Sequence, residues 1–307
     1  MDLLVKGGRS VFYSTSLFGL CCVLNSLQIF SIPLWPFSSK LSYDINSYLL
    51  STMWQVMQYI FEDKRQAKIT FSGDFIPDDE SAMVISNHRS WSDYYMINAV
   101  ANRKNMLGHI RYFIKDSLKY LPFFGWGMYL MGMLFLKRDW SKDEKKIDAT
   151  FGKLIRNKHP VWLVSYLEGS RFSMSKCIES QKFSQKNQLP VLNNVLFPRT
   201  KGFLISLSKL RNSHIEHVYD ITMAYSHRTK GFGVYPSIVD IHTLSHLREY
   251  QFHIHVRRFS INELPEEQEK LRQWIIQLFV EKDELLERLK LGWTNALTES
   301  EHLRTQL

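Results

Sequence analysis

The chain has 307 residues, 45% of them hydrophobic, which is enough to bury one α/β core with appendages and excludes a disordered polymer. A formal net charge of +9 and a pI near 9.3 point to anionic partners: phospholipid head groups, phosphorylated small molecules or nucleic acid. The basic residues are scattered, with no zinc-finger spacing, RRM signature or basic helix, which argues against a nucleic-acid reader; three cysteines, two of them inside an apolar segment, argue against a disulfide scaffold and suit a reducing compartment.

No charged residue lies between Arg9 and Lys40, and Val11 to Phe37 is apolar and aromatic apart from scattered Ser, Asn and Gln. The run meets the length of about 20 residues that a transmembrane helix needs. Lys6 and Arg9 precede it, as the positive-inside rule expects of a cytoplasmic N-terminus. A cleaved signal peptide fits less well, because no small-x-small site ends the run and Pro33 and Pro36 stand there instead. Membrane anchoring is the expectation, by spanning, re-entering or lying in the interface, with a buried core helix as the alternative. Ser42 to Phe61 then reads as a helix, with Leu49, Leu50, Met53, Trp54, Met57 and Ile60 recurring at helical spacing.

From Lys68 onward short apolar strands alternate with amphipathic helices, which predicts an α/β fold, a sheet flanked by helices. The predicted strands are Ile69–Phe71, Ala82–Ser86, Leu134–Leu136, Val161–Tyr166, Val218–Tyr225 and Glu249–Phe259. Ser141-Lys-Asp-Glu144 is a capping box opening a helix to about Asn157. A last helix starts near Pro265 and sets Leu271, Trp274, Ile275, Leu278, Phe279, Leu285, Leu286 and Leu289 on one face. The uncharged stretch Tyr120–Leu136, with Trp126 and three methionines, is too broken to span a membrane; it reads either as a hydrophobic surface or acyl-chain groove, or as core. The domain reading is a membrane anchor and amphipathic helix over 1–66, a catalytic domain over 67–265, and a C-terminal amphipathic helix and tail over 266–307.

Chemistry concentrates in two places. In Val84-Ile-Ser-Asn-His-Arg-Ser-Trp-Ser-Asp-Tyr94 a histidine stands five residues before an aspartate, a spacing that puts the two on different faces of one helix. His88 and Asp93 can meet only if His88 sits in a turn and Asp93 in the first turn of the next helix, with Ser90 or Ser92 as N-cap. A carboxylate at the far ring nitrogen would make the histidine a general base. No G-x-S-x-G elbow supplies a protein nucleophile, so the base would activate a substrate hydroxyl or water; a plain strand-end turn is the structural alternative. The second place is Tyr166-Leu-Glu168-Gly-Ser-Arg171, where Gly169 permits a sharp turn and Arg171 offers a planar fork for phosphate. Arg138 and Arg199 also fall at element ends. His242/His246 and His253/His255 have metal-like spacing, but HExxH is absent and no metal is expected.

These pieces together resemble the glycerolipid acyltransferase family that includes the 1-acylglycerol-3-phosphate acyltransferases, a likeness that implies an α/β fold with a mixed sheet flanked by helices. Asn87-His-Arg-Ser-Trp-Ser-Asp93 looks like its NHxxxxD motif, Gly132-Met-Leu-Phe-Leu-Lys-Arg138 like its second block, Glu168-Gly-Ser-Arg171 like its EGTR block, and Val195-Leu-Phe-Pro-Arg199 like its proline-containing block. Pro198-Arg-Thr-Lys-Gly-Phe203, Tyr219-Asp-Ile-Thr222 and His255-Val-Arg-Arg258 are similar to the eukaryotic branch with lysophosphatidate, lysophosphatidylinositol and lysocardiolipin acyltransferases. Ser170 replaces the usual threonine and keeps the hydroxyl.

The resemblance implies transfer of an acyl chain from acyl-CoA, as co-substrate and without other cofactor or metal, to the free hydroxyl of a lysophospholipid. Lysophosphatidate is the first-choice acceptor, with lysophosphatidylinositol and lysocardiolipin next. His88 and Asp93 would be catalytic; Arg138, Glu168, Gly169, Ser170, Arg171, Pro198 and Arg199 would bind substrate. The implied setting is a membrane, that of the endoplasmic reticulum first. An inactive membrane lipid-binding protein and a hydrolase remain as rivals.

Overall fold

The structure, a computed structural model, describes residues 2–121, 124–137 and 140–301. Its elements are α1 (Asp2–Ile29), α2 (Ser39–Gln58), β1 (Ile69–Gly73), β2 (Ala82–Ser86), α3 (Ser92–Arg103), β3 (Ile110–Lys115), α4 (Phe124–Leu130), β4 (Leu134–Leu136), α5 (Trp140–Asn157), β5 (Trp162–Tyr166), α6 (Met174–Lys186), α7 (Lys201–Leu210), β6 (His217–His227), β7 (Gly231–Phe232), α8 (Ile238–Thr243), β8 (Tyr250–Ser260) and α9 (Gln268–Glu301).

The strands form one sheet in the order β1-β8-β6-β2-β5-β3-β4, with β7 hanging on β6. Pairing is parallel except where β6 meets β8 and β7, so the sheet is mixed, as predicted. The central β2 is buried at every position, so it reads as a continuous apolar run rather than an alternation. One face of the sheet packs with Leu50, Tyr95, Met96 and Met133, and the other with Ile147, Phe151, Phe203, Ile275 and Phe279. Both faces are therefore covered by helices. At about 25 cal/mol per Å² of apolar surface, side chains of this size each contribute about 1.5–3 kcal/mol when fully buried.

Three helix starts and one strand differ most from the sequence reading. Helix α2 begins at Ser39, because the Ser38 hydroxyl accepts the Leu41 amide and caps it, and a single π-turn over Tyr59–Lys64 extends it. Helix α9 starts at Gln268, beyond Pro265. Helix α5 starts at Trp140, and the Asp143 carboxylate accepts the Lys137 amide at 2.9 Å; the Ser141 side chain lies outside the described residues. Strand β3 went unpredicted, since Arg111 and Lys115 break its apolar run. Arg111 is 1% exposed because its guanidinium reaches the Gly108 and Ile110 carbonyls and the Ser47 hydroxyl, and lies over the Tyr43 ring.

Residues Val11–Leu34 are long and apolar enough to cross a membrane, with 22% of the most apolar window buried. Helix α1 nevertheless packs along α2, α4 and α8. Arg65 stands 4.6 Å from the Tyr13 ring, and Asn25 lies against Gly127. Its other face exposes Phe12, Phe18, Val23 and Leu27.

The described part of the Tyr120–Leu136 stretch divides between core and cavity wall. Met133 and Phe135 join one core face and Leu134 and Leu136 the other. Tyr129–Leu136 also line a cavity of about 560 Å³ between α2, α5 and the edge strand β4. Three of the four histidines with metal-like spacing are hydrogen-bonded: His253 contacts Thr70 and Ser72, His255 contacts Ser72, and His242 contacts the Tyr95 hydroxyl, while His246 is exposed. Among the described residues no group of three or more His, Cys, Asp or Glu side chains is placed to hold a metal ion.

Candidate active site

Register decides the site. Parallel β2 and β5 set Ser86 opposite Tyr166, so His88 and Glu168, each two residues beyond its strand, leave the sheet side by side. This is the carboxyl end of the parallel strands, where open α/β sheets bind ligands. The His88 amide donates to Glu168 Oε1 at 2.7 Å, and the Leu196 amide donates to Oε2 at 2.9 Å. On the other flank the Asn87 side chain continues the β2–β6 ladder, accepting the Met223 amide at 2.8 Å and donating to its carbonyl at 2.9 Å. The backbone entering His88 is thus held from both neighbouring strands.

His88 and Asp93 meet across the turn, with Nδ1 2.7 Å from Asp93 Oδ2. The same oxygen accepts the Arg89 amide at 2.7 Å and the Ser90 amide at 2.9 Å, and Oδ1 accepts the Tyr225 hydroxyl at 2.6 Å. Four donors converge on one fully buried carboxyl group. Burial and the adjacent Asp93 push the Tyr225 hydroxyl well above its ordinary 10, which keeps it a donor. With Nδ1–H turned to Asp93, Nε2 is left with the lone pair, and the ring is 15% exposed. The Tyr166 ring stacks on the imidazole at 4.0 Å and 12°, covering one face.

The expected N-cap needs correction. Ser90 Oγ does accept the Ser92 amide, but α3 starts at Ser92, and the cap position falls on Trp91, without a side-chain bond. Asp93 reaching back to the Arg89 and Ser90 amides replaces an ordinary cap.

Gly169 has φ +70°, closing a turn in which its amide donates to the Tyr166 carbonyl. A Cβ there would stand 2.9 Å from Arg199 Cδ, so the glycine also admits the arginine. Arg199 is exposed, and its amide donates to the Leu167 carbonyl at 2.7 Å. Pro198 is buried and Ser170 half-buried. Arg171 is exposed with its guanidinium 5.6 Å from the Trp91 ring, while Arg138 lies outside the described residues. The sequence reading missed Tyr225, Tyr166 and Arg89. The Arg89 guanidinium donates to the Asn194 carbonyl at 2.8 Å and lies over Phe172, contacts that only the folded chain brings together.

Burial pushes the Glu168 carboxyl from its ordinary 4.5 up to about 8, against the lowering pull of the Leu196 and His88 amides and of Arg89. The folded chain then keeps a proton that the unfolded chain has lost. The sign follows: this contribution to stability is fully present below about 4.5 and is lost as pH rises through about 8. Glu168→Gln is expected to flatten the decline in stability across that window. Denaturant midpoints of the purified protein at several pH values check it, and an unchanged pH slope would contradict the assignment.

Two family models match this chain: "Acyltransferase" over residues 68–226 and "Acyltransferase C-terminus" over 242–302. A 1-acyl-sn-glycerol-3-phosphate acyltransferase 2 of Brassica oleracea is 32% identical over 281 residues, covering 87% of this chain and 67% of that protein. The chain belongs to the acyltransferase family. The mouse 1-acyl-sn-glycerol-3-phosphate acyltransferase epsilon is 30% identical, covering 81% of this chain and 68% of that protein. A probable 1-acyl-sn-glycerol-3-phosphate acyltransferase 5 of Arabidopsis thaliana is 33% identical over 81% of this chain, which spans 64% of that relative's length. Among solved structures, a 1-acyl-sn-glycerophosphate acyltransferase from Thermotoga maritima superimposes with a TM-score of 0.48 at 16% identity, covering 87% of this chain and 95% of that one. In this acyltransferase-family chain the first matched region holds the whole cluster of His88, Asp93, Glu168 and Tyr225. The second holds β8 and α9.

Proposed function

We propose that this acyltransferase-family chain moves an acyl group from acyl-CoA to the free hydroxyl of a lysophospholipid. The observation that carries the reading is the 2.7 Å contact from His88 Nδ1 to a buried, four-donor Asp93, which leaves Nε2 as the base. The acceptor hydroxyl gives its proton to Nε2 as its oxygen attacks the thioester carbonyl. The tetrahedral intermediate expels the CoA thiolate, which recovers the proton from the imidazolium. No acyl-enzyme forms. A positioned base contributes roughly 10²- to 10⁴-fold, and holding the two substrates in line supplies much of the rest.

Lysophosphatidate is the favoured acceptor, since the relatives are named 1-acyl-sn-glycerol-3-phosphate acyltransferases. Both substrates are anionic amphiphiles, which fits the +9 charge and the exposed apolar face of α1. In this reading α1, docked on the catalytic domain, lays that face into a bilayer, the endoplasmic reticulum membrane by preference. The cavity beside β4 can take an acyl chain. Arg171, with Arg199 and Arg138, binds the acceptor phosphate.

Membranes carrying the protein, given labelled acyl-CoA and lysophosphatidate, lysophosphatidylinositol or lysocardiolipin, test the reading. Lysophosphatidate should give the fastest diacyl product; preference for another head group would reassign the acceptor. Absence of product from every acceptor would return the chain to lipid binding without catalysis. Arg171→Ala is expected to raise KM for lysophosphatidate roughly tenfold, the worth of a hydrogen bond to a charged group, with KM for acyl-CoA unchanged. Equal KM for the acceptor in both proteins would remove Arg171 from the phosphate site.

A further inference from the structure

The second matched region is tied to the His88 turn by two adjacent residues of α9, Lys282 and Asp283. Lys282 is fully buried, and its Nζ lies 2.8 Å from Asp220 Oδ1 and donates to the Ile221 carbonyl at 2.8 Å and Thr222 Oγ1 at 2.9 Å. The Ile221 carbonyl is also the acceptor of the Ser86 hydroxyl, two residues before His88. Asp283 points the other way, into the segment before Pro198. Its Oδ1 accepts the Asn193 amide at 3.0 Å and the Asn194 amide at 2.5 Å, and Oδ2 accepts the Asn193 amide at 3.1 Å. One turn on, Glu287 Oε2 accepts the Asn194 side-chain amide at 3.0 Å.

What this segment presents to the site is specific. Two residues past Asn194, the Leu196 amide donates to Glu168 Oε2, and the other Glu168 oxygen holds the His88 amide. The Asn194 carbonyl itself accepts the Arg89 guanidinium. A carboxylate on α9, about 90 residues along the chain from the segment it grips, therefore sits one hydrogen-bonded link from Glu168 and one from Arg89. Such outlying groups fix the geometry of the groups that touch substrate, and small displacements there are felt in the rate.

We infer that Asp283 is a positioning residue of the acyl-transfer centre: by gripping the amides of 193 and 194 it fixes the Leu196 amide and the Asn194 carbonyl, and through them Glu168, Arg89 and the His88 turn. This role rests on the acyl-transfer reading. A carboxylate that merely fastened α9 to the domain would affect the amount of folded protein and not the turnover of each folded molecule.

The test compares the full-length native protein with Asp283→Ala and Asp283→Asn, per folded molecule, by steady-state kinetics and by hydrogen exchange. Asp283→Ala is expected to lower kcat about tenfold or more with KM for acyl-CoA within about twofold; Asp283→Asn, which keeps one acceptor oxygen, is expected to lower it about threefold. Exchange should speed up both at 193–197 and at 87–93. Unchanged kcat per folded molecule, or faster exchange at 193–197 alone, would overturn the inference. If Asp283→Ala does not fold, Asp283→Asn is judged by the same two readouts. Exchange needs no substrate, so a native protein inactive on every acceptor would defeat the acyl-transfer reading, while the exchange data would still decide whether the link reaches His88.

Discussion

Replacing His88 with alanine is expected to cut acyl transfer by roughly 10²- to 10⁴-fold, the range for loss of a positioned general base. The loss should fall on kcat, since a general base acts on a proton in flight rather than on ground-state binding. The fold should survive. His88 is partly exposed, its amide contact with Glu168 is made by backbone, and Asp93 keeps the Arg89, Ser90 and Tyr225 donors without it. Initial rates with labelled acyl-CoA, beside a thermal unfolding curve, separate the two effects. Equal rates for His88→Ala and the native protein would remove His88 from the chemistry.

Asp93→Asn is expected to lose on both counts. An amide in place of the carboxyl turns an NH₂ group toward at least one of four converging donors. Leaving a buried donor unsatisfied costs about 1–3 kcal/mol, so the unfolding midpoint should drop, in contrast to His88→Ala. The rate should drop as well, by roughly 10³- to 10⁴-fold as in the serine-protease triad, because the amide favours the wrong imidazole tautomer and cannot stabilise the imidazolium. A variant with lowered stability and native kcat would make Asp93 a turn-forming residue and nothing more.

The difference between these two residues could be read in part from sequence. The five-residue spacing after a buried strand forces a turn before a helix, and that turn brings His88 to Asp93 as expected. The helix-covered sheet was legible for a similar reason: short apolar runs separated by amphipathic helices leave few other arrangements. Strand β3 was hidden because Arg111 and Lys115 break its pattern, and only the folded chain supplies the carbonyls and the Tyr43 face that accommodate Arg111.

The surroundings of the pair were illegible for a different reason. Tyr225 and Asp283 act at separations of 132 and about 90 residues from their partners, and no local pattern encodes such contacts. The NHxxxxD block gives the proposed base and its carboxylate. The groups that hold them come from β6, the 193–196 segment and α9, which only the tertiary structure brings together.

Direct transfer to an acceptor hydroxyl, with His88 as base and no acyl-enzyme, is tested most directly by following CoA release from acyl-CoA with and without lysophosphatidate. The expected result is release that requires acceptor and matches diacyl product mole for mole, with no acyl group left on the protein. Release without acceptor, yielding free fatty acid or an acylated protein, would contradict it and make the centre a hydrolase or a covalent catalyst.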